Sequence, residues 1–341
     1  MKVHFFILLF TGLVTSSYFK SPNDNFPQYY DYINQAENKI VNGDNSQALE
    51  LYKKAFTLVR SPLGTDYHNA LRVALMTEDT ISALSYCKKM ILKGCELSYF
   101  NDNNFPKISS KVQLIAKVKE SYPTLHNVFE NTIDTQLRAE VRNRFFRDQS
   151  IDDSNRPLYF YDNIVWLKTK MLENKFPNED LIGIRVENDK IAIPYVHLFL
   201  IHWFDNHNSD TLNLLPLLKK QINLGKLSPD FFASLKNINP TMMYSLDANI
   251  AYIFVGDSVL SPKLDEYRLK IINTNRQNLN LCNFSDYQKK VRCRLINKVG
   301  KGNSVDGFTF DNEDERKNTM KFFIEMGYEV IGDIKTIFNV E

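Results

Sequence analysis

Turn-forming residues are scarce in this chain, with 12 glycines and 12 prolines among 341 residues. An all-β protein that reverses direction about every 8–12 residues uses more of both, as does a low-complexity or collagen-like chain. Cysteine is scarce as well: Cys87, Cys95, Cys282 and Cys293, with no CxxC and no histidine at zinc spacing from any of them. That count and spacing argue against a disulfide scaffold and a structural zinc site. Neither sign of charge dominates, since 42 Lys and Arg stand against 40 Asp and Glu. Bulk electrostatics therefore gives no reason to expect nucleic acid or an anionic membrane as partner. The pairs Lys53-Lys54, Lys88-Lys89, Lys219-Lys220 and Lys289-Lys290 read as solvated helix faces. No apolar run reaches the roughly 20 residues that cross a bilayer. A GxSxG nucleophile turn, a GxxxxGK[ST] phosphate loop, a GxGxxG dinucleotide turn and the alternating oxygen ligands of a calcium loop are all absent. Gly300-Lys301-Gly302-Asn303-Ser304 has no buried strand before it and reads as a loop. No cofactor and no metal is expected.

What is present is the composition of a folded protein, 43% hydrophobic and 24% charged, and with so few turn residues helix is the favoured class. A chain of this length is long for one core, so two domains are the starting expectation. The opening MKVHFFILLFTGLVTSS has one lysine, an apolar run at 5–14 and small residues after it, the three regions of an export signal cleaved near Ser17. The alternative is an anchor that is never removed. In an exported chain cysteine pairing has to be considered. Cys87 and Cys95 lie eight apart on or beside one expected helix, too far to bond at about 1.5 Å per residue unless the helix ends near Gly94. Cys282 and Cys293 are eleven apart across a loop-to-helix junction, where a bridge is sterically allowed. The spacing leaves both pairings open.

Residues 29–62, YYDYINQAENKIVNGDNSQALELYKKAFTLVRSP, lay out two amphipathic helices around Gly43-Asp44. Small Ala36 and Ala48 stand where the helices approach, Tyr32, Tyr52 and Phe56 fill the space beside them, and Pro62 closes the unit. This resembles a tetratricopeptide repeat. A second, more degenerate copy follows, with Tyr67 matching Tyr32, Glu78-Asp79 matching Gly43-Asp44, Ala83 matching Ala48 and Met90 matching Ala55. Repeats bury their faces only by stacking, so the pair needs a cap. Tyr99, Phe100, Phe105 and Ile108 with a helix from Lys111 suit that role, and Tyr122-Pro123 suggests the end of that helix and of the domain.

Beyond Pro123 the spacing of Val128, Phe129, Ile133, Leu137, Val141 and Phe145 predicts one long helix, followed by a polar loop at 148–157. A helix at 159–175 puts Ile164, Leu167, Lys168 and Met171 on one stripe. The stretch LIGIRVENDKIAIPYV predicts a β-hairpin turning at Asn188-Asp189. Helices are expected at 194–206, 210–223, 228–236, 261–273, 285–297 and 312–326, less clearly at 241–256, with a terminal strand at 327–334.

The second half carries, in order, LRAEVRNRFFRDQ (137–149), FPNEDLIG (176–183), a histidine-bearing helix, LLPLLKKQINLGKLSP (214–229), GDSVL (256–260) and INTNRQNLNL (272–281). This order is similar to a family of bacterial proteins of unknown function, whose members are frequently exported and sometimes carry helical repeats in front. The likeness implies candidate positions and no reaction. They are Asp148 and Gln149 of the "DQ" pair, Asp162 and Asn163, His202 and Arg276. The family often has an arginine just after "DQ", where this chain has Ser150-Ile151-Asp152-Asp153. Asp162 and Asn163 also fit an ordinary helix cap.

The stretch PYVHLFLIHWFDNH (194–207) holds three histidines. Successive pairs stand about 140° apart around a helix, whereas a metal pair wants i,i+4 spacing. A helix apolar on all sides is a buried one. His202 is then either a satisfied core histidine or an acid/base group held by a carboxylate. The expectation is thus a mainly α protein: a leader at 1–17, tetratricopeptide-like repeats at 18–123, and an α-rich domain with one short β-hairpin at 124–341. Its expected role is binding a protein or peptide outside the cytoplasm, with Tyr29, Tyr32 and Tyr67 on the groove, unless those rings pack between helices. The alternative is an extracytoplasmic hydrolase built on His202, Asp162 and Arg276.

Overall fold

The computed structural model describes residues 25–101, 105, 111–149, 155–206, 210–235, 251–299, 312–325 and 327–338. The expected leader, Ile108, His207, the loop at 300–304 and most of 241–256 lie outside them.

Two helix pairs open the fold: α1 Phe26–Val41 with α2 Asn45–Phe56, and α3 Gly64–Met76 with α4 Thr80–Leu92. The pairs use the same turn. In the first, Gly43 takes φ +79 and Asp44 caps α2 by accepting the Gln47 N–H at 3.2 Å. In the second, Glu78 takes φ +55, a left-handed conformation costly for a residue with a side chain, and Asp79 accepts the Ser82 N–H at 2.9 Å. Ala36, Ala48, Ala55 and Ala83 lose all solvent contact where helices meet, and Tyr52 fills the gap beside them. Helix α5 Lys111–Glu130 packs on α4, and Tyr99, Phe100 and Phe105 are buried ahead of it.

Two expectations fail at this point. Helix α5 does not end at Tyr122 but runs through Pro123, a residue that deletes one intrahelical hydrogen bond and is tolerated only when packing compensates. Phe129, one residue before the end of this helix, is buried on the far side of the proline. The expected long helix is instead broken at 131–134. Asp134 accepts the Leu137 N–H at 2.8 Å and so caps a new helix, α6 Thr135–Gln149.

Helix α7 Arg156–Leu172 and the single turn α8 Glu179–Ile182 lead into the hairpin β1 Val186–Glu187 and β2 Lys190–Ile191, paired as Val186 with Ile191. Asn188 and Asp189, at φ +48 and +59, make its turn, as the two positive-φ positions of such a hairpin require. Helices α9 Tyr195–Asn206, α10 Leu214–Asn223 and α11 Pro229–Leu235 follow. Gly225, in the GKLSP segment after α10, has φ +66, and a Cβ there would lie 2.0 Å from the Phe26 ring of α1. One buried apolar cluster runs from Phe26 through α9 to Leu281, so both ends of the chain's helical part share a core.

A second correction concerns β structure. The stretch at 251–262 is neither helix nor loop: β3 Ile253–Val255 and β4 Ser258–Pro262 form an antiparallel hairpin around Gly256-Asp257. After α12 Glu266–Gln277, α13 Phe284–Val299 and α14 Glu313–Glu325, strand β5 Tyr328–Asp333 joins β4 and leads into α15 Ile334–Phe338. Ile253 and Val255 face Phe323 of α14 on one side of this sheet, and Phe254 and Val259 face Ile334 and Ile337 on the other. The molecule is mainly helical with two small antiparallel sheets. No helix of the described residues is long and apolar enough to cross a membrane.

Candidate functional site

Two helix stripes face each other across a cleft of about 890 Å³. Thr65, His68, Asn69, Arg72 and Met76 recur at helical spacing along α3, and Tyr287, Lys290, Val291 and Arg294 recur along α13. Glu37 of α1, Ser228 and Asp230 at the start of α11, and Lys190 and Ile191 of the first hairpin complete the lining near Tyr99 and Cys282. Such a volume lies within the roughly 300–1,000 Å³ of small-ligand sites.

Helix α13 is held in place by the polar face of α1. Lys290 donates to Glu37 at 2.8 Å and to Asn34 at 3.1 Å. Asn38 donates to Asp286 at 3.1 Å, and Asn34 donates to the Asn280 carbonyl at 2.8 Å. Asn34, Glu37 and Asn38 are spaced i, i+3, i+4, so one stripe of α1 receives α13. The first helices of the two pairs therefore meet the C-terminal half across the cleft.

Its electrostatics are set by burial. Asp66 is buried and accepts a hydrogen bond from the Tyr29 hydroxyl. Desolvation pushes its carboxyl up to about 8, Tyr29 opposes this, and Glu37, Glu179 and Asp230 add repulsion. At neutral pH Asp66 is therefore mostly protonated. Burial also holds the His68 imidazole down to about 4, with the Arg72 guanidinium contributing, and His68 Nδ1 contacts the Tyr99 hydroxyl. Asp230 reaches the cleft solvent although protein surrounds it closely. Desolvation and then Glu37 raise its pKa against Lys290, Arg276 and Arg294. The lining holds four cations, Arg72, Lys190, Lys290 and Arg294, against Glu37, Asp66 and Asp230. Lys290 is spent on Glu37 and Asp66 is mostly neutral. Among the described residues, no carboxylate lies within ion-pair distance of Arg72, Lys190 or Arg294. The cleft is a cationic chamber.

The residues singled out from sequence fall into different places. His202 Nδ1 lies 2.9 Å from Asp148 Oδ2, and the ring packs at 4.6 Å on Phe160. Asp148 is buried with its other oxygen unbonded, and the Gln149 amide reaches it at 3.3 Å. Asp162 is elsewhere. It binds Arg144 at 2.9 Å and Arg147 at 2.5 Å, which hold it below the usual carboxylate range although burial works against them. Neither Asp162 nor Asn163 caps a helix, because α7 begins earlier, after Asn155 with Pro157 in its first turn. Asn163 is fully buried with its amide nitrogen unbonded.

Arg276 makes no contact with that histidine, whose polar side-chain partner among the described residues is Asp148. It is buried at the cleft, donates to the Cys282 carbonyl at 2.6 Å and lies 4.4 Å over the Tyr287 ring, so it positions two lining residues. Among the described residues His202, Asp162 and Arg276 are not brought together: helices α9, α7 and α12 carry them to separate partners. Tyr29 is not a groove residue either, since it is fully buried on Asp66 and also accepts the Leu63 N–H at 3.1 Å. Tyr67 packs between Phe56 and Tyr86, and Tyr32 against the core. His197 is stacked at 3.7 Å on Phe231, away from His202. None of Cys87, Cys95, Cys282 and Cys293 forms a disulfide.

Sequence reading missed the cleft. The expectation of a solvated face at Lys289-Lys290 holds for Lys289 and fails for Lys290, which is sheltered against Glu37. The i, i+3, i+4, i+7 run of Tyr287, Lys290, Val291 and Arg294 was the available signal. Among the described residues no group of three or more His, Cys, Asp or Glu side chains gathers to hold a metal. Comparison with protein-family models, curated proteins and solved structures gives no match to the chain.

Proposed function

We propose that this chain is a helical-repeat binding module, exported by its N-terminal leader, which takes an acidic segment of a protein or peptide partner into the cleft between α3 and α13. The observation that carries the reading is the pair of arginines, Arg72 and Arg294, lining one cleft from opposite walls with no carboxylate of the described residues at ion-pair distance from either. A cationic concavity with low-dielectric walls concentrates anions, and guanidinium groups bind carboxylates with paired hydrogen bonds. The resemblance of α1–α4 to tetratricopeptide repeats supports a peptide as the form of ligand. Because α13 covers part of the α1–α3 face, the cleft suits a short segment better than a long one laid along the groove.

Isothermal titration with a capped glutamate-rich pentapeptide tests this. Binding is expected to weaken at least about tenfold in Arg72→Ala and Arg294→Ala and to fall with added salt. Equal binding of the glutamine counterpart, or arginine variants that bind like the parent, refutes it.

A further inference from the structure

Beside the cationic cleft lies a second cavity of about 390 Å³, lined by Ile184, Ile193, Val196, His197, Ile201 and Phe231 among others. It differs chemically from its neighbour. His197 is neutral there, held down to about 3 by burial, and stacks parallel to Phe231. Three charged groups stand in its lining: Arg185 pairs with Glu187 at 2.5 Å, Glu179 accepts the Gly64 N–H at 2.7 Å, and Lys226 is the third. Most of the remaining lining is aliphatic and aromatic, with Ile193 about half exposed at 53%.

The two cavities are continuous in their lining. Thr65, Ile191 and Ser228 belong to both. Each of these three stands one or two positions from an ionisable cleft residue, namely Asp66, Lys190 and Asp230. The change from polar cleft to largely apolar cavity therefore takes place within one or two residues on three separate segments. Adjacent residues of an extended peptide are about 3.8 Å apart and point to opposite sides, so one ligand can place neighbouring side chains in the two chambers.

We infer that the apolar cavity is a specificity pocket for a bulky aliphatic or aromatic side chain placed next to an acidic residue of the bound segment. This deepens the peptide-binding reading and rests on it. The partner class is an acidic peptide interrupted by a large apolar residue, and the pocket discriminates by burying that residue. Full burial of a Leu or Phe side chain corresponds to about 10- to 100-fold in affinity.

The test uses the full chain and three capped pentapeptides: four glutamates around a central phenylalanine, the same with central alanine, and the phenylalanine peptide with glutamines. The phenylalanine–glutamate peptide is expected to bind at least about tenfold more tightly than the alanine one. In Ile193→Asn, a change at an exposed position, that advantage is expected to shrink while the alanine peptide binds as before. Equal affinity for phenylalanine and alanine peptides, both still dependent on Arg72, overturns the pocket and leaves the cleft reading standing. Failure of every peptide to bind overturns both.

Discussion

The ammonium of Lys290 on α13 lies 2.8 Å from the carboxylate of Glu37 on α1, 253 residues away in sequence. Only 11% of the lysine side chain and 27% of the glutamate side chain remain exposed. Breaking one partner of so sheltered a pair leaves the other charge without compensation, whereas removing both leaves neither. Lys290→Ala is therefore expected to cost about 2–4 kcal/mol, and Lys290→Ala with Glu37→Gln appreciably less. Urea denaturation of the two single variants and the double variant measures this. Strictly additive effects exclude a coupled pair.

Asp66 makes stability pH-dependent. An unfolded aspartate titrates near 4, whereas the folded carboxyl titrates at about 8. Below the lower value both states hold the proton and folding carries no penalty. As pH rises from about 4 to about 8 the unfolded state releases its proton first, so stability falls across that window. Asp66→Asn keeps an acceptor for the Tyr29 hydroxyl and does not titrate. Its stability is expected to lack this decline, and to exceed the parent's by about 2–5 kcal/mol at pH 8 relative to pH 4. Chemical denaturation at both pH values measures the difference, and parallel profiles contradict it.

Backbone conformation yields a pair of opposite expectations. Glu78 holds φ +55 at the turn where the first helix pair has Gly43, so Glu78→Gly relieves strain and is expected to raise stability by about 0.5–1 kcal/mol. Gly225→Ala puts a Cβ 2.0 Å from the Phe26 ring at φ +66, and is expected to lose about 3 kcal/mol or more. Thermal unfolding distinguishes the two directions.

At His202 the expectation concerns a buried carboxylate. His202→Ala removes the polar side-chain partner at 2.9 Å from Asp148 Oδ2, while Asp148 Oδ1 is already unbonded. A loss of about 2–4 kcal/mol is expected, with part recovered in His202→Ala combined with Asp148→Leu, which removes the stranded charge. A double variant no better than the single one shows that packing on Phe160, rather than the contact with Asp148, is the larger contribution.

How much of this was legible beforehand depended on whether the signal was local. The β1–β2 hairpin was, because Asn188-Asp189 between alternating apolar residues specifies its own turn. The apolar circumference of PYVHLFLIHWFDNH likewise predicts a buried α9, and Val196, Phe199, Leu200, Trp203 and Phe204 are buried. The β3–β4 hairpin had a comparable local cue, Ile253-Phe254-Val255 and Val259-Leu260 on either side of Gly256-Asp257, set among neighbours of helical periodicity. Pro123 misled because a local rule about the residue before proline was overridden by tertiary packing of α5.

The candidate site was the least legible feature, since it is made of residues with no common sequence neighbourhood. By itself the sequence determined the helical class, the capped turns, the hairpin at 186–191 and the burial of α9, all consequences of side-chain periodicity and turn chemistry within a few residues. Only the tertiary structure decided that Arg72 and Arg294 line one cleft, that Lys290 meets Glu37, and that Arg276 stands with Tyr287 and Cys282 rather than with His202. Those pairings depend on which buried surfaces the helices share, and charge partners separated by hundreds of residues are selected by that packing, not by their spacing along the chain.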